Sequence, residues 1–110
     1  MKKRTSILVA LMVTAMCACP VMAEDNNLKV GFSELDIDGA WRICQTDSMQ
    51  QEADSRGYDY VMTNAEYDTE KQVADVEDLI SQGCNFLFIA PIDMDAIVPA
   101  LDAAKTAEIQ

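Results

Sequence analysis

Leu28-Lys29-Val30-Gly31-Phe32-Ser33-Glu34-Leu35-Asp36-Ile37-Asp38-Gly39-Ala40-Trp41-Arg42 combines a short apolar strand (Leu28 to Phe32), a polar loop (Ser33 to Asp38) and the first turn of a helix carrying Trp41 and Arg42. This is the anatomy of a ligand-facing crossover, because open α/β sheets take their ligands outside the carboxyl ends of the strands, where loops and helix N-termini converge. The rest of the chain repeats the unit. Apolar strands begin near Leu28, Tyr58 and Phe86, each followed by a longer helical pattern. A spacing of about 30 residues is what βαβ units require. The expected fold is α/β, a Rossmann-like parallel sheet sandwiched by helices and built from three βα units.

The first helix is expected from about Gly39 to Arg56, with Asp38 as N-cap and Gly57 just past its end. Its broad face carries Trp41, Cys44, Ser48, Met49 and Ala53, small enough for close packing on a sheet, and Ile43 falls off that stripe. The second strand, Tyr58 to Thr63, leads into a helix whose Thr69-Glu70-Lys71-Gln72 start reads as a capping box. Val73, Val76, Leu79 and Ile80 form its core stripe and Gly83 terminates it. The third strand, Phe86 to Ala90, is continuously apolar, as expected of a strand covered on both faces. Pro91 ends it, and Asp93 is placed to cap the third helix. Pro99 fits only a first turn, so regular helix is expected from Val98 to about Lys105.

The beginning of the chain is of another kind. Lys2, Lys3 and Arg4, an apolar run from Ile7 to Ala18, and Val21-Met22-Ala23 before Glu24 make up an export signal over residues 1–23. The run is shorter than the roughly 18 residues a spanning helix needs. Cys17 and Cys19 sit where a lipid-modified cysteine would stand, but neither has leucine three positions upstream, so cleavage after Ala23 is the favoured reading. The only membrane association expected is through such a lipid anchor, and the location is periplasmic or extracellular.

Of the 110 residues, residues 24–110 then form one partial domain. The signal carries three basic residues and no acidic one, so the net charge falls from −11 to −14 on its removal. So acidic a surface repels phosphate backbones, which argues against nucleic-acid binding. There is no histidine, and only Cys44 and Cys84 remain, which leaves almost nothing for a zinc site or a histidine-based catalytic dyad. No metal, cofactor or catalytic residue is therefore assigned. The layout puts Cys44 near a helix start and Cys84 before a strand, at opposite ends of the layer, so two small buried residues are expected rather than a disulfide. After Lys105 another strand is due, and Thr106 to Gln110 leave the third strand an open edge. An N-terminal piece of a larger protein is the expectation.

Lys29-Val30-Gly31-Phe32-Ser33, Gly39-Ala40-Trp41-Arg42, Glu52-Ala53-Asp54-Ser55-Arg56-Gly57-Tyr58, Gln82-Gly83-Cys84-Asn85, Ile89-Ala90-Pro91 and Ala104-Lys105-Thr106-Ala107-Glu108-Ile109 together resemble the start of the type 1 periplasmic sugar-binding proteins of ABC transporters. The order and spacing are most similar to the galactofuranose-binding branch, with the ribose-binding proteins as more distant relatives. The resemblance covers residues 28–109 and implies an incomplete N-terminal lobe of a two-lobed fold with a monosaccharide in the cleft. It implies as partners a pentose or hexose, galactofuranose-like, and the permease of an ABC transporter. The family continues past Ile109 with Pro-Val and then an Asp-Arg pair that grips the sugar, whereas Gln110 stands in place of that proline.

Sugar recognition needs an aromatic face for the C–H patch of the ring and planar or charged groups for its hydroxyls. Trp41 and Arg42 offer both. Through the resemblance they align with the aromatic pair that sandwiches the ring in the ribose-binding branch, one aromatic having become Arg42. The alternative is that Trp41 packs into the sheet interface while Arg42 pairs with a surface carboxylate. Ser33 and Glu34 end the first strand on the ligand side, and Asp93 follows the third; each can exchange hydrogen bonds with a hydroxyl. Loop solvation and capping are the competing roles, capping being favoured for Asp93. Close relatives carry Gln at the position of Glu34. The candidate ligand-binding set is thus Ser33, Glu34, Trp41, Arg42 and Asp93, in an exported substrate-binding protein that performs no chemistry. One alternative is a sensing module that presents bound sugar to a chemoreceptor or sensor kinase. Another is a receiver-like phosphoacceptor, against which the export signal speaks.

Overall fold

A computed structural model describes residues 27–110, so the expected export signal, with Cys17 and Cys19, lies outside the described residues. Six elements alternate: β1 (Lys29–Glu34), α1 (Ala40–Arg56), β2 (Asp59–Asn64), α2 (Thr69–Ser81), β3 (Phe86–Ile89) and α3 (Val98–Thr106). The strands form one parallel sheet in the order β2-β1-β3, with Val30 opposite both Tyr60 and Phe86. β1 is therefore central. The three βα units, and regular α3 from Val98, match the expectation.

Alternation along the strands assigns side chains to faces. On one face Val30, Tyr60 and Phe86 line a recess together with Met49 and Ala53 of α1. On the other, Leu87 and Ile89 pack against Val76 of α2 and Ile97 and Ala100 beside and within α3. With α1 on one side and α3 on the other, the chain leaves β1 and β3 in opposite directions, and the switch point opens between them. Gly31 allows α2 its close approach: a Cβ there would lie 2.6 Å from Leu87 Cδ2, 3.1 Å from Cys84 Sγ and 3.2 Å from Leu79 Cδ1.

Several local expectations are corrected. β1 runs through Ser33 and Glu34, which are buried, so the loop begins only at Leu35. Gly39, not Asp38, is the N-cap of α1, and no side chain caps it. The buried side of α1 is turned one residue from the expected stripe: Arg42, Gln45, Thr46, Met49 and Ala53 face inward, while Trp41, Cys44 and Ser48 are exposed. Cys84 alone of the two described cysteines is buried, and both are free thiols. The capping box at Thr69 is displaced by Asp68, whose side chain accepts from Lys71 N at 3.0 Å.

Gln72, assigned to that box, is instead fully buried: its Nε2 donates to Ala90 O at 2.8 Å and its Oε1 accepts from Ile92 N at 2.9 Å. It pins the exit of β3 to the start of α2. Phe88 is 45% exposed, so β3 is not covered on both faces. α1 packs over β2. The outer edge of β3 carries one further rung, with Leu87 N donating to Gln110 O at 2.7 Å and Gln110 N to Asn85 O at 3.3 Å.

Candidate functional site at the carboxyl end of the sheet

β1 ends in two polar residues that alternation sends to opposite faces, Ser33 toward α2 and Glu34 toward α1. Both are fully buried. A buried carboxylate is stable as an anion only when paired and hydrogen-bonded, and the first turn of α1 supplies the pair. Arg42 Nη1 donates to Glu34 Oε1 at 2.6 Å, and Leu35 N donates to the same oxygen at 3.0 Å. Arg42 Nε stands 3.8 Å from Asp36 Oδ1, and its guanidinium carbon lies 5.1 Å from the centre of the Trp41 ring. The guanidinium is thus fixed from below by Glu34 and stacked by an indole that is 67% exposed.

The packing alternative for the pair is not what the structure has. Trp41 does not pack into the sheet interface, and Arg42 pairs with a buried acid rather than a surface one. Glu34 reaches the exterior only through Arg42. Ser33 Oγ, Glu34 Oε2 and Thr63 Oγ1, all near the carboxyl ends of β1 and β2, are buried without a hydrogen-bond partner among the described residues. Glu34 also acts on Tyr60: burial first, and the Glu34 charge second, push its phenol up to about 12.

Asp93 lies beyond the end of β3 and is exposed. Its Oδ1 accepts from Asp95 N at 2.9 Å and Ala96 N at 2.8 Å, so it caps the turn that precedes α3, whose own N-cap is Ile97. The other candidates group around β1; Asp93 belongs to the far side of the switch point.

Sequence reasoning missed Tyr67. It sits in the β2–α2 connection, 64% exposed, and its backbone, like that of Glu66 before it, is left-handed, with φ 58 and 54. Two rungs fasten this connection alongside the end of β1: Ala65 N donates to Glu34 O and Tyr67 N to Leu35 O, each at 2.9 Å. The Tyr67 phenol lies against Asp36, and that hydrogen-bonding contact, followed by partial desolvation and the Asp36 charge, raises its pKa while Arg42 lowers it. Asn64 and Asp68, both residues that favour turns, were the available signal. An apolar recess of about 270 Å³ between α1 and the sheet, lined by Leu28, Val30, Met49, Tyr60, Phe86 and Phe88, includes neither Trp41, Arg42, Asp36 nor Tyr67 in its lining.

An exposed indole, a guanidinium held on a buried acid and an adjoining carboxylate thus lie together at the carboxyl end of β1. The periplasmic binding protein domain matches residues 30–110. The chain belongs to this family. It is 34% identical over 90% of its length to the galactofuranose-binding protein of Escherichia coli, and 31% identical over 96% to the ribose import binding protein of Bacillus subtilis. Those alignments take in 31% and 38% of the two relatives, so the chain spans about a third of their length. Among solved structures it is similar to an ABC transporter solute-binding protein from Mycobacterium smegmatis with bound glycerol. That match has a TM-score of 0.74 and 37% identity, over 76% of this chain and 29% of that one. It is also similar to the binding protein of an arabinose ABC transporter from Shewanella sp. ANA-3, bound to α- and β-L-arabinofuranose. There the TM-score is 0.69 and the identity 33%, over 74% and 27% of the two chains. The family fold is the one described above, a parallel sheet flanked by helices. No helix among the described residues is long and apolar enough to cross a membrane.

Proposed function

We propose that the described residues form part of the first lobe of an exported substrate-binding protein that captures a monosaccharide, a pentose or hexose in furanose form, for an ABC importer. The observation that carries the reading is the Arg42 guanidinium, held on buried Glu34 beside exposed Trp41 at the carboxyl end of the central strand. Trp41 covers the apolar face of the ring and Arg42 donates to its hydroxyls. Glu34 acts through Arg42, and Ser33 Oγ is a buried partner for a hydroxyl that reaches the strand end. Asp93 has one carboxylate oxygen committed to its turn and offers the other from across the switch point. The names of the relatives, which bind ribose, galactofuranose and arabinofuranose, support the substrate class. The protein binds and releases its ligand without chemical change. Export through the signal at residues 1–23 places it in the periplasm or outside the cell.

Isothermal titration of the full-length gene product with D-ribose, L-arabinose and D-galactose tests the reading. Binding of at least one sugar is expected, weakened about tenfold or more by Trp41→Ala with the melting temperature unchanged. Absence of any sugar binding overturns the function, and unchanged affinity in the Trp41 variant overturns the site. N-terminal sequencing of the exported protein should begin at Glu24.

A further inference from the structure

We infer that Tyr67 is a specificity-determining wall of the same site, closing it on the β2 side as Trp41 does on the α1 side. The inference rests on the sugar-binding reading above and adds to it a residue from a different connection. Its basis is a series of placements at the end of β1: the Trp41 ring beside the Arg42 guanidinium, Arg42 Nε at 3.8 Å from Asp36 Oδ1, and Tyr67 N donating at 2.9 Å to the carbonyl of Leu35, the residue before Asp36. The two ends of this series are the exposed aromatics Trp41 and Tyr67.

The backbone supports a placed side chain rather than an incidental one. A left-handed conformation costs an L-residue roughly 1–2 kcal/mol, and glycine or asparagine takes it more readily. Here Glu66 and Tyr67 take it in succession, where the sequence has neither. The turn is nevertheless locked on both sides, by Glu66 N donating to Asn64 Oδ1 at 3.0 Å and by the two rungs to Glu34 and Leu35. Strain of this kind persists where the surroundings over-determine it, and it clusters at ligand clamps. An aromatic residue fixed so, yet left in solvent, contributes no core packing that would account for it.

The chemistry at the Tyr67 end differs from that at Trp41. Trp41 offers an apolar face and Arg42 donors only. Tyr67 adds a phenol that can both donate and accept, and Asp36 adds a carboxylate that accepts from a hydroxyl. The ligand class is therefore a polyhydroxylated ring whose hydroxyl pattern is read by Asp36 and Tyr67 together.

Three variants of the full-length protein, titrated with D-ribose, L-arabinose and D-galactose, test this. Tyr67→Asn keeps a residue that tolerates the left-handed backbone and removes the ring; affinity for the preferred sugar should fall about tenfold with the melting temperature held or raised. Tyr67→Phe keeps the ring and removes the hydroxyl; the ratio of affinities between two of the sugars should change several-fold, which a purely structural role would not produce. Trp41→Ala is the control for the shared site. Loss of binding in Trp41→Ala, with unchanged affinities and ratios in both Tyr67 variants, overturns this inference and leaves the sugar-binding reading intact. A wild-type protein that binds no sugar overturns both.

Discussion

Arg42 Nη1 lies 2.6 Å from Oε1 of Glu34, a carboxylate with no exposure to solvent. The pair is asymmetric, since the guanidinium remains partly exposed and can do without the acid, whereas the acid has no other cation among the described residues. Arg42→Ala should destabilise the protein by about 3 kcal/mol, the cost of breaking a buried pair and leaving its charge alone. Glu34→Gln keeps an acceptor for Arg42 and Leu35 N, and should cost about 1 kcal/mol or less. A double-mutant cycle read by urea denaturation measures the coupling; additive effects would show that the two side chains act independently.

Gln72 joins two elements through both ends of one amide. Gln72→Glu removes the donor to Ala90 O and places a carboxylate beside that carbonyl, while Gln72→Ala removes both bonds. Each should cost about 2–3 kcal/mol, from buried backbone groups left without partners. Amide exchange locates the effect: Ile92 N–H should lose its protection in Gln72→Ala while the β1 amides keep theirs.

Glu66→Asn should stabilise the protein, by about 0.5–1 kcal/mol, because asparagine accepts the left-handed region at lower cost than glutamate. A raised melting temperature checks it, and a lowered one would mean that the Glu66 side chain does something the backbone does not reveal.

Tyr60 gives a pH signature. Its phenol titrates at about 12 in the folded protein against an ordinary 10.0. Between those values the unfolded chain has lost the proton and the folded protein keeps it, so the Tyr60 contribution is complete below pH 10 and is lost as pH rises toward 12. Thermal melts from pH 8 to 12 should show falling stability above pH 10, with a shallower fall in Tyr60→Phe. Cys84 and Tyr67, whose pKa values are also raised, add slope of the same sign, so the variant flattens the curve without levelling it. At neutral pH the same substitution should be close to neutral, since the buried Tyr60 hydroxyl has no partner to lose.

The alternation of strand and helix was legible because its signals are local: Gly57 and Gly83 in left-handed conformations past helix ends, Pro91 after β3, Pro99 in a first turn. Trp41 and Arg42 were legible as a pair because their chemistry is unusual for an exposed first turn. The rotation of α1 was not. An apolar stripe through Trp41 and Cys44 is the better hydrophobic face, yet the helix presents Arg42, Gln45 and Thr46, since Glu34 beneath it requires a cation. A charge buried by the neighbouring strand leaves no mark on the helix sequence. Tyr67 escaped for a related reason: Asn64 to Asp68 contain no glycine, and their strained backbone is imposed by hydrogen bonds to β1, 30 residues upstream.

β1 is hydrogen-bonded along both sides, to β2 throughout and to β3 from Val30 to Ser33. Opening it requires two ladders to separate, whereas the first turn of α1, bearing Trp41, can move with the ladders intact. The base of the site should therefore be among the slowest-exchanging parts of the molecule and that first turn among the fastest. For evolution this is a useful separation. On the function proposed above, residues on the rim can be exchanged to suit a different sugar while the strand that fixes the guanidinium stays unaltered, so related proteins with the same floor can diverge in ligand without rebuilding the fold.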